Sequence, residues 1–129
     1  MATIEKFEDL DCWKKARELC KYIFKICDII KANKNFQLAD QMLRSSGSVM
    51  DNISEGFMRG GNKEFSNFLN ISRGSGGELQ SQLYRALDNE YITQEKFQIG
   101  FDLAQETILL VSGLITYLKK TDQKGYRYD

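Results

Sequence analysis

The sequence contains no proline in its 129 residues. Proline removes a backbone donor and clashes with the preceding helical turn, so its absence leaves long helices uninterrupted. Apolar residues recur at three- and four-residue spacing through four segments, which is the period of amphipathic helices. We therefore predict helices over about 9–31, 36–59, 63–89 and 94–120, with a mobile tail over 121–129.

The predicted helices are joined by short connections. Asn35 and Thr93 are suited to accept the first free N–H groups of the second and fourth helices. Gly60 or Gly61 can adopt the positive φ that ends the second helix. Long helices with short connections pack beside their sequence neighbours, which predicts one all-α domain over 1–129, an antiparallel up-down-up-down four-helix bundle.

The residue types available exclude most catalytic chemistry. The sequence has no histidine, which removes Ser-His-Asp and Cys-His nucleophile systems and HExxH zinc sites. Three cysteines, Cys12, Cys20 and Cys27, lie on one stripe of the first helix, too far apart for a disulfide there and without a CxxC pair. We predict that the three cysteines are small buried side chains. We also predict that the protein has no catalytic residue, metal or cofactor and is not an enzyme.

Charge and hydropathy place the chain in the cytoplasm without a membrane partner. Eighteen basic residues balance eighteen acidic ones, so no global field attracts nucleic acid or a membrane. The start of the chain lacks the apolar core of a signal peptide. No apolar run approaches the roughly 18 residues of a membrane span.

Two stretches, "DNISEGFMRGG" and "SRGSGGEL", interrupt the helical pattern with small and polar residues. A catalytic interpretation pairs the carboxylates of Glu55 and Glu78 for acid–base or metal chemistry. A packing interpretation treats the small residues as the continuation of a buried face, because Gly in a helix interior costs about 1 kcal/mol and needs a compensating close approach.

The register of the second and third helices favours packing. With the tip of the hairpin near Gly61, positions whose numbers sum to about 122 lie at the same height. Glu55 and Glu78 are then many layers apart, and a bundle di-metal site also needs ExxH motifs. We predict that Glu55 pairs with Arg59 or with a neighbouring subunit, and that Asn52 holds a buried backbone group. The pairs predicted to face each other are Gly47 with Ser75, Ser48 with Gly74, and Arg44 with Glu78 as an ion pair.

The segment "QMLRSSGSVMDNISEGFMRGGNKEFSNFLNISRGSGGEL" resembles the core motif of four-helix-bundle proteins first noticed as reading frames in intervening sequences of bacterial large-subunit ribosomal RNA. The opening "FEDLDCWKKA" extends the resemblance over nearly the whole chain. A related group, the accessory variability determinants of diversity-generating retroelements, resembles a homopentameric barrel that binds nucleic acid and reverse transcriptase through a basic surface. The matching residues are Arg44, Ser48, Asn52, Ile53, Glu55, Gly56, Glu64, Phe65, Phe68, Leu69, Gly74, Ser75, Glu78 and Leu79.

The fourth helix carries more apolar surface than one bundle needs. A heptad seam runs through Phe97, Phe101, Ala104, Ile108, Val111, Ile115 and Leu118. A second apolar strip beside this seam and extra apolar residues on the first helix predict a subunit interface. Its residues are Trp13, Phe24, Leu103, Leu110, Leu114 and Tyr117. Ile26 of the first helix also lies outside the cysteine stripe. We therefore predict a non-enzymatic homo-oligomeric scaffold, and the family resemblance implies five subunits.

The alternative prediction is a nucleic-acid-binding accessory protein whose partner is RNA, DNA or an enzyme that acts on nucleic acid. Its candidate residues are Lys14, Lys15, Arg17, Lys21 and Lys25 on the first helix and Lys119, Lys120, Lys124 and Arg127 near the C-terminus. A solvated helix face gives the same three-and-four spacing of charge. The sequence leaves the scaffold and the accessory protein open.

Overall fold

The computed structural model describes residues 4–122, and four long helices make up most of them. After a single 3-10 turn at Phe7–Asp9, the helices are α1 at Asp11–Ala32, α2 at Phe36–Met58, α3 at Asn62–Asp88 and α4 at Gln94–Asp122. The start of the predicted tail, residues 121 and 122, belongs to α4. The rest of that tail lies outside the described residues.

The helices form an antiparallel ring in which each contacts the next and α4 returns to α1. Two contacts fix the closing pair: the Lys15 ammonium lies 3.1 Å from a Glu106 carboxylate oxygen. Two turns further along α1, near its middle, the Tyr22 hydroxyl donates to the backbone carbonyl of Lys96 at 3.1 Å. The predicted four-helix bundle is confirmed.

The predicted helix ends are confirmed at three places. The Asn35 side chain accepts a hydrogen bond from the N–H of Leu38 at 3.0 Å, and Thr93 accepts one from Lys96 at 3.2 Å. Gly60 has φ 89° at the α2–α3 connection, a conformation that L side chains adopt at a cost. Each connection is therefore defined by local chemistry as well as by packing.

The core runs along the axis of the bundle and is built from the inward stripes of all four helices. Ile26, predicted to widen the apolar face of α1 beyond its cysteine stripe, is only 1% exposed and belongs to the core, so it adds no surface for a subunit contact. Its helix contacts both α2 and α4, and the buried face is wider than the cysteine stripe alone. Fully buried side chains include Leu19, Ile23, Met42, Ile53, Phe65, Leu69, Leu79, Leu83 and Leu118.

The three thiols of α1 behave as small packing groups. Cys12 and Cys27 are buried, as predicted, whereas Cys20 is half-buried. The thiols of Cys20 and Cys27 donate to the carbonyls of Ser46 and Ala39 at 3.2 and 3.4 Å. Burial raises the pKa of Cys12 to about 12 and the pKa values of Cys20 and Cys27 to about 11. The thiols stay protonated at neutral pH and are poor nucleophiles.

Helices α2 and α3 approach each other closely at Gly56. A Cβ at this position would lie 2.6 Å from the Cβ of Phe68 and 3.3 Å from the backbone carbonyl of Phe65. The α3 glycines differ from the prediction. A Cβ at Gly76 would meet Ile108 of α4 at 2.8 Å, so this glycine serves the α3–α4 contact.

The predicted close crossing between α2 and α3 is wrong for three other glycines. A Cβ at Gly47, Gly74 or Gly77 would find no neighbouring atom within 4 Å. These positions lie toward the solvent side of their helices, where a register argument gives height along the bundle but not orientation.

The fourth helix is longer and more apolar than the sequence analysis allowed. Residues Gln94–Thr121 are long and apolar enough, by length and composition, to cross a membrane, so the prediction that no run approaches this length is wrong. A core helix of a soluble protein passes the same test. In the bundle, α4 packs along both α1 and α3. Part of its apolar surface nevertheless remains outside the core.

Candidate functional site

Serine side chains within the motif segment 41–79 join α2 to α3. The hydroxyls of Ser48 and Ser75 lie 2.7 Å apart, and buried Ser72 donates to the carbonyl of Val49 at 2.7 Å. Ser48 therefore faces Ser75, one position from the predicted partner Gly74. The predicted register between α2 and α3 is confirmed to within one residue.

The serine pair opens into a polar cleft of about 550 Å³ between α2 and α3. Its lining includes no aliphatic or aromatic residue, in contrast to the core beneath it. The cleft combines two guanidinium groups, one carboxylate, hydroxyls and amides. The lining residues are Gln41, Arg44, Ser45, Ser48, Ser75, Glu78, Ser81, Gln82 and Arg85.

The predicted ion pair between Arg44 and Glu78 is wrong, although both residues line the cleft. Arg44 Nε bonds Asp40 at 3.0 Å, one turn earlier on the same helix, and its side chain is 80% exposed. The Glu78 carboxylate instead accepts a hydrogen bond from Ser45 at 3.1 Å. An i,i+4 partner is preorganised by the helix itself, so a neighbour on the same helix competes well with a partner across the groove.

Two amide side chains of the cleft differ in their hydrogen bonding. Arg85 Nη1 donates to Gln41 Oε1 at 3.0 Å across the two helices. Gln82 is only 5% exposed. Its Oε1 is buried and finds no hydrogen-bond partner among the described residues.

Glu55 lies nearer the end of α2, away from this cleft. Its carboxylate accepts from Arg59 Nη2 at 2.8 Å, as predicted, and this bond raises the pKa of Arg59. The guanidinium also lies 4.9 Å from the centroid of the Phe68 ring. Asn52 donates to the carbonyl of Ser48 at 2.9 Å. Glu55 and Glu78 have separate partners, and the described residues contain no cluster of three metal-ligating side chains.

A second surface, the α1 groove, lies between α1 and α2 on the other side of α2. It is a depression of about 500 Å³ with an apolar floor and a basic rim. Phe24 is 60% exposed within it. Trp13 stacks edge-on against Phe7 at 5.2 Å and carries the Arg17 guanidinium 5.8 Å from its ring. The groove is lined by Arg17, Cys20, Lys21, Phe24, Lys25 and Met50.

The candidate basic residues are divided among different surroundings. Lys15 does not join the exposed basic set, because it bridges Glu18 and Glu106 at 3.1 Å each, and pairing with Glu106 and Glu18 raises its pKa. The exposed residues are Lys14, Arg17, Lys21 and Lys25 on α1 and Lys119 and Lys120 on α4. Lys124 and Arg127 lie outside the described residues.

A third surface, the α4 outer face, carries apolar side chains away from the core. Leu110 is 38% exposed, whereas Leu103, Leu114 and Tyr117 are partly buried against the core. Two residues that the sequence analysis did not assign, Ile99 and Leu109, are 42% and 61% exposed. The predicted interface residues thus occupy two separate places, the α1 groove with Trp13 and the α4 outer face.

Sequence reasoning also missed Gln41, Ser81, Gln82 and Arg85 of the cleft. Three of them follow the segment "SRGSGGEL" at helical spacing, so a search for polar residues one and two turns beyond the motif would have found them. The exposure of Leu109 carried no such signal, because a leucine in an apolar helix has the same local pattern whether it faces the core or the solvent.

Comparisons with known proteins agree with this architecture. Residues 8–113 match the family model described as 23S rRNA-intervening sequence protein. Among solved structures, the chain is similar to a protein with unknown function from the S23 ribosomal protein family of Bacteroides thetaiotaomicron VPI-5482, with 27% identity and a TM-score of 0.77. That match covers 81% of this chain and 97% of the other. The comparison with curated proteins finds no match.

Proposed function

The chain belongs to the 23S rRNA-intervening sequence protein family, and from that premise we propose that it is a non-enzymatic, homo-oligomeric scaffold of the cytoplasm. The observation that carries the proposal is the exposed apolar surface of α4, where Leu109 is 61% and Ile99 42% exposed. Soluble monomers rarely leave large contiguous apolar patches in water, so such a surface is typical of a protein interface.

The α1 groove is the proposed counterpart of the α4 outer face. The groove offers an apolar floor, with Phe24 at its centre, and a rim of cations. The α4 outer face offers leucines beside the exposed carboxylate of Asp102. Apolar surface meets apolar surface and opposite charges meet at the rim, which is the usual anatomy of an interface.

A contact between two different surfaces of the same chain is heterologous, and its repetition closes a ring when the rotation allows it. The family resemblance of the motif sets the expected number of subunits at five. Light scattering on the full-length chain should therefore give a mass near five times 14.9 kDa. A dimer or tetramer would contradict the pentamer but would still agree with an oligomeric scaffold. A monomer at micromolar concentration would contradict both predictions.

Two charge substitutions test which surfaces meet. Leu109→Glu places a carboxylate on the α4 outer face, and Phe24→Glu places one in the α1 groove. Each variant alone should lose the ring. Ile71→Glu is the matched control, because Ile71 is an exposed apolar residue on α3, at 52% exposure. It should retain the mass of the parent.

Mixing the two variants sharpens the test. In a heterologous contact, one intact α4 outer face from Phe24→Glu can still bind one intact α1 groove from Leu109→Glu. The mixture should therefore form a dimer that neither variant forms alone. A mixture that stays monomeric would show that these two surfaces do not bind each other.

A second candidate function is binding of single-stranded nucleic acid at the α1 groove. The specific observation in its favour is an exposed aromatic ring, Phe24, beside Arg17, Lys21 and Lys25. Bases stack on such rings while cations neutralise the phosphates. The name of the family refers to ribosomal RNA, which makes RNA the first probe to use.

Fluorescence anisotropy with a short single-stranded RNA tests this second function. The affinity should fall steeply with salt, and Lys21→Gln and Lys25→Gln should each reduce the slope of log K against log salt by about 0.7. Lys15→Gln is the control, because Lys15 is already bonded to Glu18 and Glu106. Binding that is insensitive to salt, or that is lost equally in Lys15→Gln, would contradict a phosphate-binding groove.

A further inference from the structure

The α2–α3 cleft contains a buried acceptor without a partner. Gln82 lines the cleft and is 5% exposed, and its Oε1 has no hydrogen-bond partner in the part of the chain that the structure describes. Buried polar atoms are nearly always paired, so an orphan indicates a partner that is supplied from elsewhere. The oxygen itself has almost no exposed surface, so a molecule in the cleft reaches this amide only when the side chain changes rotamer and turns its acceptor or its donors outward.

Two guanidinium groups give the cleft its anion-binding capacity. Arg44 uses Nε for Asp40, and Arg85 uses Nη1 for Gln41. No other bond of these two side chains is found within residues 4–122, so each retains N–H groups that can bind an oxyanion. The planar guanidinium matches a phosphate in a bidentate geometry, which favours phosphate over a simple halide.

The remaining lining selects hydroxyl groups rather than a flat ring. Ser48 bonds Ser75, and Ser45 bonds the carboxylate of Glu78, so the walls present hydroxyls with lone pairs and protons to share. Ser81 adds an exposed hydroxyl. The carboxylate of Glu78 repels an anion but accepts hydrogen bonds from alcohols. No aromatic residue lines the cleft on which a base could stack.

The geometry points to the α2–α3 cleft as a binding site for a small phosphorylated polyol, held by Arg44, Arg85 and the amide of Gln82. The guanidinium groups bind the phosphate. The Glu78 carboxylate, the serine hydroxyls and the Gln82 amide bind the alcohols. This site is separate from the α1 groove and the α4 outer face, so it stands or falls independently of the proposed scaffold.

Isothermal titration calorimetry on the full-length chain tests the site with ribose 5-phosphate as the probe. Ribose and inorganic phosphate are the matched probes that lack one half of the recognised chemistry. We expect ribose 5-phosphate to bind at least tenfold more tightly than either of them. Equal binding of phosphate and ribose 5-phosphate would overturn recognition of the polyol, and the absence of binding both of these probes and of a short RNA would overturn the site.

Three substitutions locate the binding. Arg44→Gln and Arg85→Gln lie on the surface and should each weaken binding of ribose 5-phosphate about tenfold. Arg73→Gln is the charge-matched control, because Arg73 of α3 bonds Asn70 on its own helix and Ser112 on α4. Gln82→Leu should abolish binding without lowering the melting temperature of the free protein, because leucine leaves no orphan acceptor. Binding that survives the two arginine substitutions would overturn the assignment to the cleft.

The same chemistry occurs in the ribose-phosphate backbone of RNA, and a second titration separates the two sources. A short single-stranded RNA that binds the cleft should lose affinity in Arg44→Gln and Arg85→Gln, as ribose 5-phosphate does. If the RNA alone binds and shows this loss, the phosphorylated polyol is part of a polymer, and the site holds. If the affinity for RNA falls only in Lys21→Gln and Lys25→Gln, and ribose 5-phosphate does not bind, the cleft is not a phosphate site.

Discussion

The α2–α3 seam and the α4 outer face reverse the usual distribution of polarity. At the seam, small and polar residues are buried, with Ser72 at 0% exposure and Gly56 in close contact with Phe65 and Phe68. On the α4 outer face, Leu109 is 61% exposed. The motif that invites a catalytic interpretation therefore maintains the fold, whereas the apolar helix that looks like interior is partly surface. Substitutions at the seam should change stability, and substitutions on the α4 outer face should change assembly.

Gly56→Ala should have the largest effect on stability. The new Cβ would lie 2.6 Å from the Cβ of Phe68 and 3.3 Å from a backbone carbonyl, neither of which can rotate away. Overpacking of this kind costs about 3 kcal/mol at the upper end, and better helix propensity returns about 1 kcal/mol. We expect the free energy of unfolding to fall by about 2 kcal/mol in urea denaturation.

Gly77→Ala is the control for this effect, since a Cβ there would meet no atom within 4 Å. The gain in helix propensity is then unopposed, and the free energy of unfolding should rise by up to about 1 kcal/mol. If Gly56→Ala also stabilises the protein, the two helices are farther apart than the structure places them.

The contrast between these two glycines also marks how far the sequence could predict the seam. Helical periodicity predicted the four helices. The hairpin register predicted the position of Ser48 opposite Ser75 along the bundle axis to within one residue. It could not distinguish Gly56, which faces a neighbouring helix, from Gly74, which faces solvent. Residues at the same height can point in different directions, and the direction depends on the rotation of each helix about its axis.

The same limit applies to the cleft. Arg44 and Glu78 lie at the same height, but each has a nearer partner, Asp40 and Ser45 respectively. Sequence spacing predicted the i,i+4 pair of Glu55 with Arg59, because a single helix fixes that geometry. Contacts between helices depend on side-chain competition that spacing alone does not describe. The unpaired acceptor of Gln82 likewise has no signature in the sequence, and only the structure reveals it.

Ser72→Ala should have a smaller effect at the same seam. Its hydroxyl donates to the carbonyl of Val49 at 2.7 Å in a buried position. Loss of one such bond costs about 1 kcal/mol of the free energy of unfolding, because the helical N–H partner of that carbonyl remains. The matched control is Ser54→Ala, whose exposed hydroxyl bonds its own helix at the carbonyl of Asp51. Equal losses in the two variants would mean that the cross-helix bond contributes nothing of its own.

Leu109→Gln should have the smallest effect on the stability of the single chain and a clear effect on its assembly. Leu109 is 61% exposed, so its removal takes little from the core, and such surface substitutions stay within about 0.5 kcal/mol. Assembly increases the free energy of unfolding as the protein concentration rises, because only folded chains associate. The urea midpoint of the parent should therefore rise as the concentration increases, and that of Leu109→Gln should rise less or not at all. At the lowest concentration, where both chains are dissociated, the two midpoints should coincide. A parent midpoint independent of concentration, or a variant destabilised even in the dilute limit, would mean that Leu109 supports the bundle itself, and the contrast between a polar seam for folding and an apolar face for assembly would fail.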